Sequence, residues 1–328
     1  MDGIVLLAKQ PGDTSFSSLF NVKKALNTTK VGHTGTLDSF AQGLLVVCVG
    51  RLTKLAGNIT EFNKSYSAII KFGEETDTLE YTGEVIKKAS LPSLESLKSI
   101  LNKYKGELDQ IPPAYSAIHV NGKRASDLIR AGKEVEIKSR KITIFENNLV
   151  NYKLNNENLV EYCQIDFTVS KGTYIRSLAR DIAKDLNSAG HLVGLYRTSV
   201  GNFSIKDACG YNLMQDFSIE NAIKKAEEYK DNIVNKENYD RNIIQQEIKT
   251  NIISFSENCA EMCGFKSVFI NSQYLMDFKN GKPIKYKWFK ENLNFSEDDK
   301  IAVFSEDKNF DGLIKNEKNH LSYVFVIN

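Results

Sequence analysis

Apolar and polar positions along this chain change period from one stretch to the next. Residues 44–49, LLVVCV, are apolar without interruption, the pattern of a strand buried on both faces. Residues 66–72 alternate, putting Tyr66, Ala68, Ile70 and Phe72 on one face of a half-buried strand, and residues 162–169 read the same way. A period near 3.6 takes over in 93–104, with Leu94, Leu97, Ile100 and Leu101. It returns in 174–186, with Ile175, Leu178, Ala179, Ile182, Ala183 and Leu186, and both spacings predict amphipathic helices. Strands interleaved with helices predict an α/β or α+β main domain.

Beyond about residue 213 the pattern changes. Residues 219–250 are charged with a helical period, and then short strand-like runs appear at SVFIN, KIAVF and SYVFVIN, separated by Asn, Gly and Asp turns. A small β-rich terminal domain is expected there. The length agrees, because 328 residues exceed what one hydrophobic core usually fills. No internal repeat or low-complexity tract interrupts the chain.

Composition adds little to this outline but closes some doors. With 41% hydrophobic and 26% charged residues the chain has a globular balance, and no apolar run approaches the roughly 18 residues of a membrane span. The opening MDGIVLLAKQPG places a five-residue apolar run after an acidic residue rather than a long apolar core after a basic one, so a secretory signal is not expected and a cytoplasmic location is. Five cysteines, an odd number spread over a long chain, fit reduced thiols better than a disulfide framework. Only Cys259 and Cys263 are close, and their C-x3-C spacing has no second pair or nearby histidine to complete a metal site.

The formal charge of +2 does not by itself point to a polyanion, but the cations are grouped. Residues 121–141 hold seven Lys/Arg against three acids, and residues 266–290 hold six lysines against Asp277 alone. Such runs serve equally as solvated faces or as contacts to a nucleic acid.

Two segments could carry chemistry. The stretch GHTGTLDSFAQG, residues 32–43, brings three glycines, His33 and Asp38 directly before the buried 44–49 run, the arrangement that can hold one reactive group rigidly at an open edge. An aspartate in such a loop also suits a turn or a helix cap. In SKGTYIRSLARDIAKDL, residues 170–186, a strand ends, Gly172 allows a turn, Thr173 can cap, and a helix begins with Arg176 in its first turn. A cation there opposes the helix dipole at a cost of a few tenths to about 1 kcal/mol, so an anion should face it, either as a structural ion pair or as part of a site. Neither G-x4-G-K-[ST] nor G-x-G-x-x-G occurs, so no nucleotide-cofactor motif stands out.

Taken together, GHTGTLDSFAQGLL, NKSYSAIIKFGEETDTLEYTGEV, IPPAYSAIHVNGKRASDLIRAGKEVE and SKGTYIRSLARDI resemble the bacterial tRNA pseudouridine-55 synthases of the TruB family. The likeness runs from LLAKQPGDTS to HLVGLYRTSVGNFSI, about two thirds of the chain, and a weaker one links FKNGKPI and the final strands to a PUA-like domain. Ser39 stands where the family motif commonly has proline, a change that touches loop rigidity rather than the chemistry of Asp38.

The resemblance implies a pseudouridine synthase fold, with a mixed, largely antiparallel central sheet flanked by helices. It implies a catalytic domain over 1–212 with an RNA-clamping insertion at about 112–141, a helical connecting segment over 213–262, and a PUA-like RNA-binding domain over 263–328. The implied reaction is a redox-neutral isomerisation of uridine 55 in the tRNA T-loop: the bond from ribose C1′ to uracil N1 breaks and one to C5 forms, with no cofactor. Asp38 takes the place of the catalytic aspartate, as nucleophile or as electrostatic partner to a ribosyl cation, and Arg176 would keep it ionised. Tyr66 matches the tyrosine that stacks on the target base, although its place on an apolar face suits core packing as well. Tyr174 and Leu195 match positions that shape the base pocket, and they too read equally as packing residues. Base flipping is implied, at a cost of a few kcal/mol.

RNA contacts would offset that cost. His33 matches a histidine that helps hold the T-loop, and Lys9 lies in the matching N-terminal block, to contact phosphate or support the site. Lys123, Arg124 and Arg130 fall in the closing insertion, and Lys282 belongs to the lysines that would reach the acceptor side. The partner implied is tRNA, through its T-arm and acceptor side, with no membrane and no obligate protein partner. Two alternatives remain, an RNA-folding protein without chemistry and a synthase of the same fold acting on another RNA.

Overall fold

A computed structural model describes residues 2–116, 118–120, 122–132, 135–231, 239–290, 295–318 and 320–327. Its centre is one large sheet. The long strands are β1 (Gly3–Lys9), β2 (Gln42–Val49), β3 (Lys64–Phe72), β4 (Gly106–Gln110), β5 (Arg140–Leu154), β6 (Val160–Val169) and β7 (Gly190–Val200), and they lie in the order β1-β2-β7-β3-β6-β5-β4. Each neighbouring pair is antiparallel except β2 with β7, which run parallel where Gln42 meets Tyr196 and Gly43 meets Arg197. The expected mixed, largely antiparallel sheet is therefore what forms, and its one parallel joint lies at the end of the Asp38 loop.

The hydrophobic patterns land where their periods put them. Every residue of β2 is buried, because the sheet is covered on both faces at that point. On β3, Tyr66, Ala68, Ile70 and Phe72 pack together in one cluster beneath the helices Leu94–Leu101 and Ile175–Asp185, while Ile69 points the other way. The Ile175–Asp185 helix starts one residue later than a Thr173 cap would require. Tyr174 occupies the cap position without a side-chain hydrogen bond, and the Thr173 hydroxyl instead donates to the Ser170 carbonyl.

Helix α1 (Ser15–Leu26) packs on the other face of β1 and β2 through Leu19 and Val22, joined there by Ile244 and Ile248 of the Arg241–Asn251 helix. Helices of the 213–262 region, expected as a helical connecting segment, thus lie against the main sheet: Ile219 and Ala222 of the Ile219–Lys230 helix pack on Ile69 and Val193. Residues 232–238 lie outside the described residues. Three of the last four strands, Lys266–Phe269, Lys300–Phe304 and His320–Val326, cover the strand-like runs of the sequence. Phe310–Glu317, too mixed in polarity to be read as a strand, completes a second four-stranded sheet. Phe304 and Leu313 of that sheet pack into the cluster that holds Ile4, Leu6, Leu44 and Val46.

Among the described residues no helix is long and apolar enough to cross a membrane. All five cysteines are buried and unbridged.

Candidate active site

The loop that carries Asp38 is tied down along its whole length. Ser15, at the buried start of α1, accepts the Leu37 N–H at 2.8 Å and donates its hydroxyl to the Leu37 carbonyl at 3.1 Å. The Gly12 N–H donates to the Ser39 carbonyl at 2.8 Å. Lys9, expected to touch phosphate or to support the site, is fully buried, and its ammonium donates to the carbonyls of Ala41 at 2.6 Å, Gln10 at 3.1 Å and Ser39 at 3.2 Å. Burial pushes Lys9 down to about 7, the carboxylates of Asp13 and Asp38 resist this, and the Arg197 guanidinium adds to it. Ser39, without the ring of a proline, is thus held through its carbonyl.

Arg197 is the second buried cation. It donates through Nε to the Leu44 carbonyl at 2.7 Å and through a terminal nitrogen to the Gly35 carbonyl at 3.1 Å. At the parallel joint its backbone presses on Gly43, whose φ is +121° and whose absent Cβ would lie 2.4 Å from the Arg197 carbonyl oxygen. Only glycine fits there. Lys64, next to this cluster, donates to the carbonyls of Thr60 and Phe62, both at 2.6 Å, and burial and then Arg197 push it down to about 8.

Arg176, in the first turn of the Ile175–Asp185 helix, does face an anion. Its guanidinium donates to Asp38 Oδ1 at 2.9 Å while only 5% of the residue is exposed. The same group donates to the carbonyls of Thr78 at 3.0 Å and Tyr115 at 3.1 Å, and Glu80 Oε2 lies 4.0 Å away. Oδ2 of Asp38 accepts no hydrogen bond among the described residues, and the side chain is 32% exposed. One carboxylate oxygen is thus fixed by a buried cation, and the other has no such partner among the described residues.

Glu80 is the second carboxylate of the cluster. Burial, and then the negative charge of Asp38, push it up to about 7 against the pull of Arg176, and Thr82 donates its hydroxyl to Oε1 at 2.7 Å. One guanidinium thus stands between two acids.

The remaining expected residues spread around this centre. Tyr66 and Leu195, on the adjacent strands β3 and β7, join the buried cluster that also contains Leu37 and Phe40 from the Asp38 loop. Tyr174 is positioned by Gln110, whose side-chain amide accepts the Tyr174 N–H at 2.8 Å and donates to its carbonyl at 3.0 Å, and the Arg140 guanidinium sits 4.6 Å above the ring. His33 shares a hydrogen bond with Thr36 at 3.2 Å, and burial followed by the Arg197 charge pushes its ring below the usual histidine range.

The basic groups are less free than their grouping suggests. Lys123 is exposed, the side chain of Arg124 lies outside the described residues, and Arg130 lies 3.7 Å from Asp127. Lys282 pairs with Asp277 at 2.6 Å, Lys279 with Asp311 at 2.9 Å and Lys290 with Glu306 at 2.7 Å. A cavity of about 400 Å³, lined by Tyr104, Gln110, Ile111, Leu178 and Asp185, contains none of the expected site residues. Among the described residues no three His, Cys, Asp or Glu side chains converge as a metal site would need.

Glu80, Gln110, Lys64 and Arg197 were not singled out by sequence reasoning. Arg197 carried a readable signal, an arginine directly after the apolar LVGLY run, since a cation in a buried strand must be satisfied there. Glu80 sat in the TDTLE stretch with nothing to mark it as buried.

A family model described as TruB family pseudouridylate synthase (N terminal domain) matches residues 23–175. The tRNA pseudouridine synthase B of Treponema denticola is 44% identical over 303 residues, which span 87% of this chain and 85% of that protein. The protein of the same name from Borreliella burgdorferi is 40% identical over 258 residues, 77% of this chain and 89% of its own. Among solved structures, a Cbf5-Nop10-Gar1 complex contains a chain that aligns with 99% of this one and 84% of itself at a TM-score of 0.65 and 19% identity. An H/ACA RNP bound to a substrate RNA containing 2′-deoxyuridine gives a TM-score of 0.63 at 17% identity, covering 99% of this chain and 83% of that one. At those identities the two structures speak for the fold, which they share over nearly the whole chain.

Proposed function

This chain belongs to the TruB family of pseudouridylate synthases, and from that premise we propose that Asp38 is its catalytic aspartate and uridine 55 of the tRNA T-loop its target. The protein is a tRNA pseudouridine synthase, an isomerase acting on an RNA substrate. The observation that carries the proposal is the contact of Arg176 with a single oxygen of Asp38 at 2.9 Å. A buried guanidinium favours the ionised carboxylate, and leaving Oδ2 clear gives that charge a direction. An anion so placed can attack ribose C1′ or stabilise positive charge developing there as the bond to N1 breaks. The uracil, released from N1, turns and bonds to C1′ through C5, Asp38 leaving C1′ as carboxylate if it had bonded there; the C5 hydrogen departs as a proton and N1 takes one up, so no net oxidation occurs.

The target base must leave its stack to reach Asp38, and we assign it to the space beside Tyr66, Tyr174 and Leu195, with His33 at the flank toward the RNA. The root of the insertion supports a clamping role for about 112–141, since the Tyr115 carbonyl accepts from Arg176 and the Ile111 carbonyl accepts from Ser177 and Arg180. Residues 1–212 would then form the catalytic domain, with 213–262 bracing its sheet and 263–328 serving as a PUA-like RNA-binding domain for the acceptor side. Lys123, Arg124 and Arg130 are proposed RNA contacts of the insertion. Lys282 is proposed for the terminal domain, where RNA phosphate would compete with Asp277 for its ammonium.

Tritium release from 5-labelled uridine in an unmodified tRNA tests the assignment. Wild type should release tritium, and Asp38→Asn should release none while binding the same tRNA. If Asp38→Asn retains turnover, the aspartate is misassigned. If mapping finds pseudouridine at another position, the choice of uridine 55 fails while the rest stands.

A further inference from the structure

Helix α1 has an outer face that packing does not explain. Its inner side buries Leu19, Val22 and Ala25, yet Phe16 is 72% exposed and Phe20 51% exposed, one helical turn apart on the same side. Large aromatic side chains left in water on one stripe mark a contact surface more often than chance. Each ring is accompanied by a cation: the Lys23 ammonium lies 5.0 Å from the Phe16 ring centre and the Lys24 ammonium 6.0 Å from that of Phe20. The helix SFSSLFNVKKAL holds no Asp or Glu. Asp13, just ahead of it, is already engaged by the Tyr239 hydroxyl and lies 3.9 Å from Arg241.

Position decides what this stripe meets. Ser15, the first residue of the helix, holds Leu37 beside Asp38 by two hydrogen bonds, so the end of the helix that carries Phe16 is anchored to the Asp38 loop. From Phe16 to Lys24 the stripe extends about 12 Å, the length of roughly two nucleotides of an extended strand. We infer that nucleotides flanking the target uridine stack on Phe16 and Phe20 while their phosphates meet Lys23 and Lys24. This rests on the RNA substrate proposed above and extends it to a surface outside the residues assigned there. An aromatic platform with interleaved cations and no carboxylate fits single-stranded nucleic acid. A second copy of the chain fits poorly, because a two-fold contact through this face would set the lysines of both copies against each other.

Binding and turnover of an unmodified tRNA transcript, measured across salt concentrations, separate the possibilities. Phe16→Ala/Phe20→Ala should weaken binding by about thirtyfold or more without changing the salt dependence, and Phe16→Trp/Phe20→Trp should keep wild-type affinity. Lys23→Gln/Lys24→Gln should flatten the slope of log K against log salt by about 1.4, the value for two lost phosphate contacts on a single strand. Wild-type affinity and kcat/KM in the double alanine variant, with wild type active, overturn this inference alone. So does a wild-type dimer that the alanine pair dissociates without loss of RNA affinity. A wild type that neither binds nor modifies tRNA overturns the functional reading and this inference with it.

Discussion

Glu80→Gln isolates the electrostatics of the two-acid cluster. The Glu80 side chain is 13% exposed, faces Arg176 at 4.0 Å, and its carboxyl stands at about 7 against an ordinary 4.5. A difference of that size corresponds to about 3 kcal/mol of preference for the neutral acid in the folded protein. Because the folded state holds this proton more tightly than the unfolded chain does, the contribution to stability is complete below pH 4.5. It is lost progressively as the pH rises to about 7. Glutamine keeps the shape and the acceptor oxygen for Thr82 but cannot ionise. Urea unfolding followed by circular dichroism at pH 5, 6, 7 and 8 should therefore show Glu80→Gln gaining on wild type with pH, by up to about 3 kcal/mol at pH 8. Salt should change this little, since the cluster is buried. A stability difference between the two proteins that stays constant to within about 0.5 kcal/mol across this range would refute the reasoning, by showing that Glu80 is ionised in the folded protein as easily as in water.

Arg176→Lys keeps the charge but puts one nitrogen where the guanidinium uses two, one on Thr78 and the other on Asp38 and Tyr115, so the single-turnover rate on tRNA should fall by about a hundredfold with RNA affinity little changed. Loss of affinity with kcat preserved would make Arg176 an RNA anchor instead. Gly43→Ala would set a Cβ 2.4 Å from the Arg197 carbonyl at a φ of +121°, and should cost about 3 kcal/mol or more in urea unfolding. Gly57→Ala, where nothing lies within 4 Å, serves as the control and should be neutral or stabilising by about 0.5–1 kcal/mol. Equal stability of the two variants would remove the argument for the tight joint.

What could be read in the sequence was what periodicity and local chemistry encode. The 44–49 run announced a strand covered on both faces, the alternation from Tyr66 to Phe72 announced which side faces the helices, and Arg176 at a helix start announced an anion across from it. Asp38 and Arg176 could each be singled out, but only the family resemblance paired them, because a separation of 138 positions leaves no local trace of their contact. Glu80 and Lys9 look like ordinary charged residues in sequence, and only the fold shows that burial has shifted both toward 7. The Ile219–Lys230 and Arg241–Asn251 helices read as a charged connector because their inward faces are narrow, with two or three buried residues each. For the grouped lysines of 266–290 the run hides most of the ion pairs: Lys282 meets Asp277 within it, whereas Lys266, Lys279 and Lys290 meet Asp299, Asp311 and Glu306 beyond it.

The way the Asp38 loop is held bears on how the reaction is organised. Lys9 and Arg197 bind backbone carbonyls at positions 35, 39, 41 and 44, on both sides of residue 38, and among the described residues neither has a carboxylate at ion-pair distance. Holding carbonyls leaves the Asp38 side chain to Arg176 alone. Arg197, joined by Lys9 where that amine is protonated, adds positive potential beneath an anion, and in a water-poor setting that potential is screened weakly. The loop is therefore set before any RNA arrives. Binding energy from the tRNA then does not have to order the carboxylate and is available for drawing the uridine out of its stack, a cost of a few kcal/mol. The same reasoning accounts for Ser39: proline would stiffen this position through its ring, whereas here the Ser39 carbonyl receives both the Lys9 ammonium and the Gly12 N–H, and the stiffness comes from outside the residue.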